Sequence, residues 1–481
     1  MAANRVDYHE VFTTKTITVC PRDRPPHAHE AKVIHLSNLD RKCPALMYLV
    51  FFYRSTPPLH GRQLSSASLF SSLKRGLEEA MSDWYPAAGR LCLAPPPPTG
   101  KINLACTNSG ALLVEAATRA TISDLGDLAQ HNDFYERLVC KPPSGACFAD
   151  TPLVVGQVTK FACGGYSIGV GTNHALFDGA ANYSFLSAWA SKTVGRAAEG
   201  QVELVEPVHE RGRLLVCHGQ SQVSLSKAAD REGEMGGFMA LDHLHQLIKQ
   251  AVSANCIVPG GQLKLSEMDS TGHEHLVLRT FSVSASMVSR LKNKAASGSG
   301  GISCSSFEVV AAHLWKVRTK AFNIAKHRMV CLQFAVDARA RMRPPLPKGF
   351  TGNAYVLSSV ACTSAELEEA SLATVVGKIK AAKQAVTDSY VMKYLAALNA
   401  APQVALPPLP ELTMVSDWTK TPYHSIDFGL GKAVFVTPLA TPFPQVAYFM
   451  QSPSEAGRMD VRIGLPHMHL QAFTRYFLSA M

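Results

Sequence analysis

The chain has 481 residues, 47% of them hydrophobic and 17% charged, which excludes a disordered or low-complexity protein and suggests roughly two or three domains. Lys and Arg outnumber Asp and Glu by 47 to 37, for a net charge of +10. No basic run is interleaved with aromatics, however, so the charge argues against nucleic acid and for an anionic, phosphate-bearing small ligand.

In chain order, the apolar run Pro44–Tyr53 is far shorter than the roughly 18–20 residues of a membrane span, and reads as a buried strand. The N-terminus lacks an apolar signal region, and the 12 cysteines form no C-x-x-C pair. Reduced thiols and a cytosolic location, or the cytosolic face of the endoplasmic reticulum, are therefore expected. Leu69, Leu73, Leu77 and Met81 share one face of a helix predicted over Ser66–Trp84 and stopped by Pro86. Four consecutive prolines within Ala94–Gly100 mark a surface loop.

Thr151–Cys163 and Tyr166–His174 predict a hairpin turned at Gly164-Gly165. Alternation places Tyr166, Ile168, Val170, Thr172 and His174 on one face, with Ser167, Gly169, Gly171 and Asn173 on the other. Residues 191–237 are charged, poorly periodic and Gly-containing, so they read as a crossover between domains over 1–190 and 238–481. In the second domain, Ser305 and Glu308 form a capping box ahead of the apolar stripe Val310, Leu314, Val317. Leu332, Phe334 and Val336 mark a strand whose other face carries Asp337, Arg339 and, if it persists, Arg341. Strands and helices are mixed throughout, giving an α/β class.

The chemistry concentrates at His174-Ala175-Leu176-Phe177-Asp178-Gly179. A histidine at a strand end, followed by a turn and a helix, suits proton transfer near neutral pH. The bare H-x-x-x-D spacing is weak, since about one chance match is expected in a chain with 18 histidines. Competing patterns are weaker still. Gly165-Tyr166-Ser167-Ile168-Gly169 matches a serine-hydrolase elbow, but Ser167 falls inside a strand and points away from His174. The pairs His27/His29, His243/His245, His273/His275 and His467/His469 lack a third ligand at a zinc spacing, so no metal is expected.

Further segments raise the specificity. With His174-Ala175-Leu176-Phe177-Asp178-Gly179 near the middle and Asp427-Phe428-Gly429-Leu430-Gly431 near the end, the chain resembles the plant BAHD acyltransferases, relatives in fold of chloramphenicol acetyltransferase. Tyr85-Pro86-Ala87-Ala88-Gly89-Arg90, Ser306 to Trp315, Asp337-Ala338-Arg339, Arg343 to Pro347 and Gly352-Asn353 extend the likeness over nearly the whole chain. The resemblance implies two chloramphenicol-acetyltransferase-like halves, each a mixed sheet with flanking helices, meeting at a channel. It also implies a monomer without a permanent cofactor, taking an acyl-CoA donor and a small-molecule acceptor.

By the same resemblance His174 is the general base, and Asp178 shapes its loop by pairing with Arg339. Gly179 makes room where the backbone turns sharply. Ser416 and Trp418 match a hydroxyl residue and a tryptophan near the reacting carbonyl, so Ser416 is the candidate oxyanion donor. Asp427, Gly429 and Gly431 match a structural motif in which Leu430 replaces the usual tryptophan. Gln403 stands where shikimate-binding members carry arginine, which favours an apolar acceptor. The stretch Leu36–Tyr53 is similar to branches that handle ω-hydroxy fatty acids or brassinosteroids. The competing implication is a relative that keeps the fold but has lost turnover and serves as a binding or helper protein.

Overall fold

The computed structural model describes residues 10–23, 32–55, 65–93, 101–143, 147–195, 205–215, 240–253, 276–297, 302–400, 409–439, 446–453, 455 and 457–479. The proline loop, most of the 191–237 crossover, Gln403 and the pairs His27/His29 and His273/His275 lie wholly or partly outside them. The chain packs into two units. One comprises the described residues of Met1–Leu215, Leu346–Ala354 and Thr421–Thr441; the other comprises those of Val216–Pro345, Tyr355–Lys420 and Pro442–Met481. The sequence pattern places the end of the first domain at residue 190 and Asp427 in the second. Instead, two later segments return to the first unit and bring Asp427 with them.

The first unit is built on β1 (Val11–Val19), β2 (Val33–Ile34), β3 (Leu46–Tyr53), β4 (Arg90–Leu93), β5 (Ile102–Ala105), β6 (Ala111–Thr118), β7 (Val154–Lys160), β8 (Tyr166–Asn173) and, from the late return, β13 (Phe435–Pro438). Its main sheet has the order β1-β6-β7-β8-β3-β13, and β2-β5-β4 form a small second sheet. Only β6 and β7 run parallel in the main sheet. The apolar run before residue 54 is thus an interior strand, β3, with its C-terminal half fully buried.

Helices α1 (Ser66–Asp83) and α2 (Gly179–Val194) lie side by side. An added Cβ at Gly76 would sit 2.2 Å from Thr193 Oγ1, so glycine sets how closely they approach. Trp189 on α2 is fully buried; its indole N–H donates to Leu73 O (2.9 Å), and its ring meets Phe428 edge-on at 5.3 Å. The opposite sheet face packs Val50 and Phe52 against Phe134, Tyr135 and Leu138. The predicted alternation along β8 holds through Thr172, whose Oγ1 donates to Asn182 on α2 (3.0 Å). On the far face, a Cβ at Gly169 would meet Leu138 O at 2.0 Å. The strand ends at Asn173, however, so His174 sits in the turn beyond it.

The second unit carries β9 (Leu276–Val283), β10 (Met329–Asp337), β11 (Tyr355–Thr363), β12 (Leu412–Asp417), β14 (Val446–Gln451) and β15 (Met459–Pro466). Its sheet order is β11-β10-β12-β14-β15-β9, with β12 parallel to both neighbours. Flanking it are α3 (Ala240–Ser253), α4 (Ala285–Ala296), α5 (Ser306–Ala321), α6 (Ser364–Glu369), α7 (Leu372–Gln384), α8 (Asp388–Ala400) and α9 (His467–Ser479). The expected capping box is present: Ser305 Oγ accepts from Glu308 N (3.2 Å), and Glu308 Oε2 accepts from Ser305 N (2.8 Å). Strand β10 ends at Asp337, so Arg339 and Arg341 lie in the following turn and not on its outer face. Among the described residues, no helix is long and apolar enough to cross a membrane.

Candidate active site

The His174 loop leaves β8 under tight backbone control. His174 N donates to Ala45 O (2.9 Å), and Asn173 N donates to Leu153 O (2.8 Å). Asn173 Oδ1 accepts from Ala175 N (2.9 Å), and Asn173 O accepts from Leu176 N (2.9 Å). Asn173 therefore satisfies two of the amides that the turn exposes, one with its short polar side chain and one with its own carbonyl. Ala175, Leu176 and Phe177 are buried, while His174 is half-buried. Asp178 follows as the N-cap of α2: its Oδ1 accepts from Ala181 N and its Oδ2 from Ala354 N, both at 3.0 Å. A carboxylate at a helix N-terminus is favoured by the exposed N–H groups and the dipole.

Residue 179 departs from expectation. Its φ is not among the positive ones, and a Cβ there would meet no atom of the described residues. It is simply the first helical residue, with a carbonyl that accepts from Tyr423 Oη (3.2 Å). Tyr423 Oη also accepts from Asn182 Nδ2 (3.3 Å). Burial raises the Tyr423 phenol well above its ordinary pKa and keeps it neutral. The Asp427 segment follows directly. Asp427 Oδ1 gathers the N–H groups of Gly429 (2.7 Å), Leu430 (2.9 Å) and Gly431 (2.8 Å). That nest needs left-handed backbone at Gly429 (φ 93°) and Gly431 (φ 81°), where a side chain would be strained. Phe428 is fully buried against Phe51 and Trp189, and Leu430 is itself buried.

A polar cluster that the sequence pattern does not signal holds the His174 loop from its backbone side. Asp40, fully buried in a turn, accepts from Ser37 N (2.8 Å) and Ser37 Oγ (2.7 Å) and from Arg211 Nε (2.9 Å), all at Oδ2. Its Oδ1 accepts from Asn353 N (2.9 Å) and Asn353 Nδ2 (3.0 Å). Burial pushes the Asp40 carboxyl up, but the Arg211 charge and the bonds from Asn353 and Ser37 outweigh it and hold it ionised below its usual range. Arg211 Nη1 donates to His209 O (2.6 Å). Asn353 Nδ2 also donates to His174 O at 2.7 Å. Arg211 fell within the supposed crossover, and Asn353 only within a motif; neither position's burial is visible in the sequence.

In the second unit, Arg339 bonds to Asp337 through its backbone N (2.8 Å to Oδ1) and its Nη1 (3.3 Å to Oδ2). Ser416 lies on β12, and Trp418 just after it donates its indole N–H to Ser416 Oγ (3.0 Å). Trp418 meets Tyr448 edge-on at 5.4 Å.

Among the described residues, the serine of the rival elbow and the histidines of two of the four pairs take structural positions. Ser167 is fully buried mid-strand, with no turn at its position. His243 is buried against Ser359 (2.6 Å) while His245 is exposed on another face of α3, and His469 stacks on Phe322. No metal-ligating group forms among the described residues. The ten cysteines described are free thiols.

Two mixed six-stranded sheets flanked by helices define a chloramphenicol-acetyltransferase-like acyltransferase fold. The solved structure of vinorine synthase matches it over 98% of each chain at a TM-score of 0.69 and 19% identity. That of F. graminearum TRI101 complexed with coenzyme A and T-2 mycotoxin matches over 92% of this chain and 96% of its own, at 0.67 and 14%. The Transferase family model matches residues 10–479. Brassinosteroid-related acyltransferase 1 of Arabidopsis thaliana is 46% identical over 462 residues, 93% of this chain and 94% of that protein. The chain belongs to the BAHD acyltransferases.

Proposed function

We propose that the protein transfers an acyl group from a CoA thioester to a hydroxyl of a steroid or similarly apolar acceptor, with His174 as general base. The observation that carries this reading is the half-buried His174 on a loop whose backbone is fixed on both sides, in a chain 46% identical to a brassinosteroid-related acyltransferase. In the proposed step, the imidazole takes the hydroxyl proton as the oxygen attacks the thioester carbonyl. The tetrahedral oxyanion then collapses, the C–S bond breaks, and the departing thiolate recovers the proton from the imidazolium. Ser416 is the candidate oxyanion donor: accepting from Trp418 leaves its own O–H available and polarises it. The net positive charge favours the phosphates of CoA.

The test is thiol release from acetyl-, hydroxycinnamoyl- and long-chain acyl-CoAs, each with a polyhydroxylated sterol, an ω-hydroxy fatty acid or an amine. Release that needs the sterol and vanishes in His174→Ala supports the reading. Wild-type rates in His174→Ala refute the base, a preference for the amine refutes the acceptor class, and silence of the folded protein across the panel favours a binding or helper role.

A further inference from the structure

The Asp40–Arg211–Asn353 cluster is built from parts that are costly to bury. The Asp40 and Arg211 side chains are 0% and 1% exposed, and the desolvation of two such charges can exceed what their attraction returns. Two polar atoms are left over: Asn353 Oδ1 and Arg211 Nη2 are buried without a hydrogen-bond partner among the described residues. Unpaired buried groups of this kind call for a reason, and the orientation of the Asn353 amide supplies one. Turning it over would set its oxygen against the Asp40 carboxylate, acceptor to acceptor. The charge of Asp40 therefore fixes the amide with both N–H groups forward, one on Asp40 Oδ1 and the other on His174 O. Arg211 keeps the carboxylate ionised and in place from the other side. The orphaned Oδ1 is the consequence of spending both amide protons this way.

From this geometry we infer that Asp40, Arg211 and Asn353 form a positioning relay for His174, fixing its main-chain carbonyl and so the height of the imidazole. The inference rests on the proposed role of His174 as base. The His174 N–H is already tied to Ala45 O, so the bond from Asn353 completes a two-point clamp on one residue. Without it, the loop pivots about the Ala45 bond. Displacing a reacting group by about 1 Å costs on the order of 10²-fold in rate.

The experiment compares full-length wild type, Asn353→Ala, Asp40→Asn, His174→Ala and the double variant Asn353→Ala/His174→Ala. Asn353→Ala lowers kcat on the order of 10²-fold while KM for both substrates stays within about twofold. Asp40→Asn, which keeps the shape but removes the charge that orients the amide, falls in the same direction. Added to His174→Ala, the Asn353 change has no further effect, because it acts only through that residue. Independently of turnover, the His174 imidazole resonance, assigned by its disappearance in His174→Ala, moves in Asn353→Ala and in Asp40→Asn. An unmoved resonance in a folded variant, an unchanged kcat, or losses that multiply in the double variant would overturn the relay. Full activity in His174→Ala would instead sink the base assignment, a result distinguishable from failure of the relay.

Discussion

Replacing Asp178 by asparagine tests whether its two oxygens do separate tasks. Oδ1 caps α2 through Ala181 N, and Oδ2 receives Ala354 N from the returning Leu346–Ala354 segment. Asparagine has one acceptor oxygen. If it keeps the cap, its NH₂ faces the N–H of Ala354, and a buried donor is left unpaired at a cost of about 1–3 kcal/mol. Losing the negative charge at the helix N-terminus adds about 0.3–1 kcal/mol. The expected loss is therefore about 2–3 kcal/mol. For a domain of this size that lowers Tm by roughly 5–10 °C. Alanine, which also forfeits the cap, costs about 1 kcal/mol more. The predicted order places Asp178→Asn nearer to Asp178→Ala than to wild type, the reverse of what isosteric shape alone suggests. Urea denaturation of the three proteins, followed by steady-state rates on those that are folded, measures both effects. An asparagine variant within about 0.5 kcal/mol of wild type would refute the two-oxygen account. A destabilised asparagine variant with full kcat would confine Asp178 to stability.

Two further outcomes follow from the same neighbourhood. His209, buried against Thr351 (3.1 Å) and Asp83 O (3.0 Å), has its pKa lowered from 6.5 to about 4, chiefly by burial. The unfolded chain therefore takes up this proton first, and stability is lost as pH falls from about 6.5 to about 4, by about 3 kcal/mol in all. In His209→Gln that part of the slope disappears, and denaturation midpoints between pH 7 and pH 4 that stay parallel to wild type would count against it. At Gly352, a Cβ would lie 2.7 Å from Arg211 Nε and 2.8 Å from its Cζ. Because Arg211 is held by Asp40 and cannot retreat, Gly352→Ala should destabilise by about 1–3 kcal/mol. An unchanged melting temperature would show that the arginine gives way.

Local chemistry made much of the fold readable from the sequence. The leucines of α1 and the capping box at Ser305 each signal themselves within a few residues, and the structure places both where the pattern does. The hairpin before β8 is also present, but β7 stops at Lys160 and the chain turns over residues 161–165 instead of at the Gly164-Gly165 pair alone. The end of β8 was less legible. Alternation continues formally to His174, but the strand stops where Asn173 turns its side chain onto the amide of Ala175, two residues on. The first unit runs on to Leu215, past the end that composition suggests, for a similar reason. Residues 205–215 look like linker because their partners, Thr351 and Asp40, are more than a hundred positions away. Burial that depends on such distant partners leaves no periodic trace, so Arg211 reads as a surface charge and is among the most buried large side chains of the protein.

The same long-range closure explains why residues spread over most of the chain serve one loop. The returning Leu346–Ala354 segment supplies Asn353 to the His174 carbonyl and Ala354 to the Asp178 carboxylate, 179 and 176 positions away. The Thr421–Thr441 segment supplies Tyr423 to Gly179 and Asn182, 244 and 241 positions away. Immediately after Tyr423, the Asp427 nest turns the chain so that Phe428 packs on Trp189 of the helix that Asp178 caps. The closure entropy of such long loops grows only logarithmically with length, so distance along the chain adds little to the cost of these contacts once the sheet has formed. What they provide is geometric control from independent directions: the Leu346–Ala354 segment holds both ends of the loop, at His174 and Asp178, and the Thr421–Thr441 segment holds the start of the helix that follows. Leu430 can stand in place of the larger tryptophan because the turn depends on Asp427 and the two glycines, while Phe428 makes the deep contact.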